Sequence, residues 1–194
     1  MFAYLQGKFT YKSAAQVYVD VQGVGYEVNI SLHTYAAIQS LTEGRLYTYL
    51  QIKEDGHVLY GFFEKEEKDI FLLLIGVSGI GAATARMMLS SIRPDEVQRA
   101  ITEGNSRMLE SVKGIGKKTA ERLVLELKDK IGKQTFSNPD KPVQTGNTMN
   151  QDALTALTAL GISRNQAEAA IQKVQQSGPI TQLEDLIKKA LKAI

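Results

Sequence analysis

The chain of 194 residues contains no cysteine, no tryptophan, four prolines and two histidines, His33 and His57. Without cysteine there is no disulfide framework, no Cys nucleophile and no thiolate zinc site. Two histidines leave nothing for a His-rich metal site or a His-based triad, and neither is expected to act in catalysis. His57 flanks a turn and reads as a cross-strand partner. Apolar runs stay short, as at Ile70–Ile80, so no segment is expected to span a bilayer. The opening residues, MFAYLQGKF, lack the basic-then-apolar pattern of a signal peptide. The expectation is a soluble protein of a reducing compartment, the cytoplasm, with no cofactor and no membrane partner.

Neither sign of charge dominates, with 23 Lys and Arg against 21 Asp and Glu, but the distribution is uneven. Residues 1–65 carry a net −1, residues 66–132 a net +1 and residues 133–194 a net +2. Within the middle part, residues 105–132 hold seven basic and four acidic groups. That stretch is a local basic focus, and local charge is what a polyanion meets.

The first 63 residues alternate with period two. Val17, Val19 and Val21 share one face of a strand, and Tyr26, Val28 and Ile30 continue the pattern after a turn at Gln22–Gly25. Leu46–Ile52 and His57–Phe62 are two further strands, joined across Asp55-Gly56, a strong hairpin signal. With Phe2–Thr10 these make five strands, the size and number of a small closed barrel such as an OB-fold. Tyr18, Tyr26, Tyr47, Tyr49 and Tyr60 are expected to serve barrel packing, although such rings stack single-stranded bases elsewhere.

From residue 64 the period becomes helical. Glu66–Ile75 is a helix, Pro94 opens another at a tolerated first-turn position, Gly104 stops it and Asn105 caps the next. Lys117–Ile131 reads as a long amphipathic helix closed by Gly132. Residues 133–149 hold two prolines and little apolar surface, the composition of a flexible linker. Asp152–Leu160, Ser163–Val174 and Thr181–Ala193 then form three short helices in a module at 150–194, with capping boxes at Ser163/Gln166 and Thr181/Glu184. So small a module is expected to leave apolar surface for a partner.

At an offset of 35 the chain repeats itself. Residues 74–85 match residues 109–120 at seven of twelve positions, including Gly79-Ile80-Gly81 against Gly114-Ile115-Gly116. Two glycines around an apolar residue allow a tight hairpin whose backbone approaches a neighbour with no Cβ in the way. The isoleucine points inward, and amides at the start of the following helix are left open, a ready phosphate site. Lys117, Lys118 and Thr119 follow the second hairpin directly, and both lysines would add charge-assisted contacts to the same strand. Phosphate contacts of this kind carry no sequence information. A nucleotide loop is excluded: Ser111 stands where the first Walker glycine belongs, and Lys118 replaces the Ser or Thr that holds magnesium. The chain is therefore not expected to hydrolyse ATP.

The doubled helix-hairpin-helix, the stretch Gly23-Val24-Gly25-Tyr26-Glu27-Val28 and the strand Leu59-Tyr60-Gly61-Phe62 closely resemble the RuvA family of bacterial Holliday-junction-binding proteins. Residues 114–123, GIGKKTAERL, match the family pattern throughout, and the resemblance covers the whole chain. It implies an α+β multidomain protein: an OB-fold barrel at 1–63, a tandem helix-hairpin-helix domain at 64–132, the linker at 133–149 and a three-helix, UBA-like module at 150–194. It implies a homotetramer, one or two per junction, that holds a four-way junction open and loads the hexameric ATPase RuvB, with the resolvase RuvC as a further partner. Under this resemblance Glu54 and Asp55 fall on the acidic pin, where carboxylates repel phosphates at the crossover. It also names the motor as the partner of the tail, with Leu154, Leu157, Leu160 and Ile162 as candidate contacts. The chain departs from the family at the first hairpin, where Ala82-Ala83 replace a basic residue, so contact there would rest on backbone amides helped by Arg86.

Two rival readings make different demands. A nuclease or ATPase needs clustered metal-binding carboxylates or a phosphate loop, and the sequence offers neither. A general duplex- or single-strand-binding protein would use the same barrel and hairpins without junction preference.

Overall fold

The computed structural model describes residues 2–54, 56–133, 148–176 and 182–193, and the chain divides into two compact units, Met1–Phe136 and Ser137–Ile194. The first unit opens with five strands: β1 (Tyr4–Lys12), β2 (Gln16–Val21), β3 (Val24–Ile30), β4 (Glu43–Lys53) and β5 (Gly56–Phe62). They close into a barrel in the order β1-β2-β3-β5-β4. The period-two pattern is realised, with Val17, Val19, Val28 and Ile30 buried and Tyr18 and Glu27 exposed. Closure depends on a short parallel pairing of β3 with β5, at Asn29↔Tyr60 and Ile30↔Gly61. A Cβ at Gly61 would lie 2.5 Å from the Cγ1 of Val28, so glycine is what admits β5 to that seam.

Between β3 and β4 lies a helix the periodicity does not reveal, α1 (Leu32–Ile38). It has seven residues, too few for a helical repeat to stand out, but its ends are well made. The Thr34 amide donates to Ser31 Oγ at 3.0 Å. At the other end Lys12 Nζ donates to the carbonyls of Ile38, Gln39 and Leu41 at 3.3, 2.8 and 2.6 Å.

Five helices complete the unit: α2 (Lys65–Ile75), α3 (Ala82–Ser91), α4 (Pro94–Glu103), α5 (Ser106–Glu110) and α6 (Lys117–Lys133). Gly104 ends α4 in a left-handed conformation, and Asn105 Oδ1 accepts the Met108 amide at 3.2 Å. Gly132 does not close α6, which continues through it to Lys133. A single glycine costs a helix only about 1 kcal/mol relative to alanine, so by itself it stops nothing. The helices share a core that includes Phe71, Leu74, Met88, Leu109, Leu123 and Leu127. Two of the tyrosines expected to pack the barrel serve the helical core instead. Tyr49 and Tyr60 leave the barrel interior and pack with Phe62 around Phe71 of α2, at ring-centroid distances of 5.4, 5.4 and 4.8 Å. Tyr18 stacks on Tyr11 at 4.8 Å, both of them exposed.

The second unit contains α7 (Thr148–Ala159), α8 (Arg164–Gln176) and α9 (Leu183–Ala193) around Leu157, Ala167, Ile171, Leu186 and Ala190. Helix α7 starts before Asp152 and takes in the last two residues of the expected linker, while residues 134–147 lie outside the described residues. Ser163 Oγ accepts the Gln166 amide at 3.4 Å, as a capping residue should. Thr181 of the second expected cap lies outside the described residues. No helix among the described residues is long and apolar enough to cross a membrane.

Candidate nucleic-acid interface

The two copies of the repeat fold alike. One hairpin joins α2 to α3 and the other joins α5 to α6, with Gly79 and Gly114 both at φ 92°. In each, the isoleucine amide closes the turn: Ile80 donates to the Val77 carbonyl at 3.1 Å, and Ile115 to that of Val112 at 3.0 Å. Ile80 and Ile115 are each 5% exposed, so both pin their hairpin to the common core. Glycine is required at 79 and 114 by the left-handed backbone. Gly81 and Gly116 have no such requirement, and a Cβ on either would meet nothing within 4 Å. Their missing side chains leave open space on the outer face.

That space lies at two helix starts. The first helical bonds run from Ala85 to the Gly81 carbonyl at 2.9 Å and from Ala120 to that of Gly116 at 3.0 Å. The amides of residues 82–84 and 117–119 therefore have no acceptor within their own helix. Open glycine backbone, helix-start amides and a positive dipole end together suit a phosphate oxygen, twice over. Lys117 and Lys118 are both exposed beside the second site, with Thr119 half-buried.

The copies differ in their surroundings. Ala82 is buried, and only Ala83 faces solvent at the equivalent place in the first hairpin. Arg86, expected beside that hairpin, is committed elsewhere: its Nη1 donates to the Ala15 carbonyl and to Asn29 Oδ1 on the barrel, both at 3.0 Å. The sequence could not show that this face of α3 docks on the barrel. A residue that sequence reasoning missed supports the first hairpin instead, since Arg122 Nη1 of α6 donates to the Ser78 carbonyl at 3.2 Å. The repeat hides it, because position 122 aligns with Met87.

At the far end of β5 the ladder pairs Lys53 with Gly56, so Gly56 already belongs to the strand. Gly56 therefore stands in β5 rather than in the turn, and Glu54 follows the end of β4. Glu54 is exposed, and Asp55 lies outside the described residues. His57 is the cross-strand partner of Ile52, as expected, and His33 Nε2 stands 3.4 Å from Glu64 Oε2. In the tail, Leu157 is wholly buried and so is core rather than a partner contact. Leu154 and Ile162 pack half-buried against that core, and of the four candidates only Leu160 stands exposed.

Burial also shifts groups away from the hairpins, among them Glu67, Tyr60 and Asp69. It holds the Glu67 carboxyl above its ordinary range, against the opposing pull of hydroxyl donors from Ser31 and Thr34. It likewise raises the Tyr60 phenol, partly offset by the positive charge of Arg86.

Comparison with known proteins follows the same division. Residues 1–61 match the family model described as RuvA N terminal domain, 71–129 the SAM-like helix-hairpin-helix tandem and 148–194 the RuvA C-terminal domain. A protein of Christiangramia forsetii is 45% identical over all of both chains. One of Flavobacterium psychrophilum is 47% identical over 99% of each, and one of Bacteroides fragilis 41% identical over all of both. Each of these relatives is named Holliday junction branch migration complex subunit RuvA. Over its whole length this chain belongs to the RuvA family.

Proposed function

We propose that this chain is a non-catalytic subunit that binds four-way DNA junctions by their structure and serves branch migration in recombination and repair. The observation that carries the reading is the pair of matching hairpins, each presenting open glycine backbone and helix-start amides on one folded unit. Gly79, Ile80, Gly81, Gly114, Ile115, Gly116, Lys117, Lys118 and Thr119 form the two backbone-binding sites. The isoleucines hold the turns in place, and the lysines supply charge at the second. Two sites fixed in one unit grip a duplex arm at separated phosphates without reading its bases. Glu54 and Asp55 act as the acidic pin: at a crossover, carboxylates repel the converging phosphates and keep the strands apart.

Four copies around a four-fold axis would meet the four arms, so the working form is a homotetramer, one or two per junction, in the bacterial cytoplasm. The barrel at 1–63 carries the pin and tetramer contacts, 64–133 the DNA-binding hairpins and 148–194 the docking module for the RuvB ATPase. Exposed Leu160 is the contact in that module best placed for the motor. ATP hydrolysis belongs to RuvB, and RuvC would take the junction's free face.

Competition binding tests this. A labelled four-way junction bound by the chain should be displaced by unlabelled junction at concentrations at least about tenfold below those of duplex or single strand of equal length. Equal competition by duplex would remove the junction preference, and stronger competition by single strand would favour a base-stacking barrel instead.

A further inference from the structure

One carboxyl side chain is buried at the opposite end of α2 from the first hairpin. Glu67, in the first turn of α2, has no exposed surface. Its two carboxyl oxygens face two hydroxyls: Ser31 Oγ donates to Oε1, and Thr34 Oγ1 donates to Oε2 at 2.6 Å. Each hydroxyl is used twice. Ser31 Oγ also accepts the Thr34 amide, and Thr34 Oγ1 accepts the Phe63 amide at 3.0 Å. Phe63 belongs to the two-residue joint between β5 and α2. Next to this cluster, Ser90 Oγ of α3 accepts the Leu32 amide at 3.1 Å.

The place of this cluster along the chain gives it meaning. From the acidic turn the chain runs up β5, through Phe63 and Glu64, and along α2 to the first hairpin. The joint at Phe63-Glu64 is where that path could bend, and Thr34 grips it from both sides, by its amide and by Glu67. An apolar contact there would fill space but would tolerate sliding, whereas hydrogen bonds in a dry site are directional and costly to break. A carboxylate also suits the donors: both hydroxyl protons need an acceptor, because both oxygens already receive a backbone N–H.

We propose that Glu67 is a positioning residue. Clasped by Ser31 and Thr34, it fixes the angle between the acidic-turn hairpin and the first DNA hairpin, and so helps set the preference for a junction over a duplex. This rests on the junction reading above. A duplex engages the hairpins alone, but a junction needs hairpins and pin in one fixed relation, so loosening the joint weakens junction binding selectively.

The test uses the full chain with Thr34→Val, Thr34→Ser and Glu67→Gln. Binding is measured well below each variant's melting temperature, after circular dichroism and sizing match the wild type. Thr34→Val removes both bonds of the hydroxyl, and Glu67→Gln leaves one hydroxyl proton without an acceptor. In both, the junction-to-duplex affinity ratio should fall about tenfold while duplex affinity stays within about twofold. Thr34→Ser keeps the hydroxyl and should keep the ratio, which a loss of stability alone would not predict. A wild-type ratio in folded Thr34→Val and Glu67→Gln would overturn the proposal, as would a Thr34→Ser ratio as low as that of Thr34→Val. If Thr34→Val does not fold, Glu67→Gln and Thr34→Ser decide by the same criteria. A wild-type chain without junction preference would instead overturn the junction reading, in an arm of the experiment that involves no variant.

Discussion

The first hairpin and the second share a backbone and differ in what holds and charges them. Both turn through a glycine at φ 92°, and both bury their isoleucine to the same degree. Around the first, Ala82 is buried, Arg122 reaches over to bond the Ser78 carbonyl, and the following helix is tied to the barrel through Arg86 and to α1 through Ser90. Around the second, two exposed lysines stand at the start of α6. The repeat thus carries two turns of one geometry, of which the first has Arg122 and Arg86 bonded around it and the second has two exposed lysines beside it. The lesson is that a repeated motif reports a shared geometry, while the strength of each copy depends on residues outside the motif.

The largest expected effect probes the shared part. Ile80→Ala and Ile115→Ala should each destabilise the folded unit by about 2–4 kcal/mol in chemical denaturation, because each removes a buried isoleucine from one common core. Losses differing by more than about 2 kcal/mol would show that the two hairpins are not mechanically equivalent.

A smaller effect probes the divergence. Lys117→Ala with Lys118→Ala should weaken junction and duplex binding alike, independently of sequence, and make the salt dependence shallower by about 1–2 units of slope per protomer. Titrations across a series of salt concentrations check it, and an unchanged slope would make these lysines ordinary surface charge. The converse change is smaller still. Ala83 is exposed at the first hairpin, so Ala83→Lys should steepen the slope by about one unit per protomer. No change in slope would mean that the first hairpin does not approach the phosphates.

How much of this was legible in the sequence depended on whether a residue's role was local. The barrel strands could be read because alternation is a property of neighbours, and the paired hairpins because glycine, isoleucine and glycine recur with one spacing. Helix α1 was not legible, since seven residues give no repeat and its cap is a single serine. The roles of Arg86 and Arg122 are not legible because their partners, Asn29 and Ser78, lie far away in sequence. Glu67 was invisible for a different reason: an acidic residue in the first turn of a helix ordinarily faces water and complements the dipole. That Leu157 belongs to the core and not to a partner surface is not legible either, because amphipathic spacing does not say how much of a face three short helices can cover.

The central claim is that both hairpins meet the DNA backbone through their open amides. Hydrogen exchange of the full chain, with and without a saturating four-way junction, measures those amides directly. Exchange should slow at residues 79–84 and at residues 114–119 together, with the larger slowing at the second segment, where Lys117 and Lys118 add affinity. Unchanged exchange at both segments in the bound complex would contradict the account.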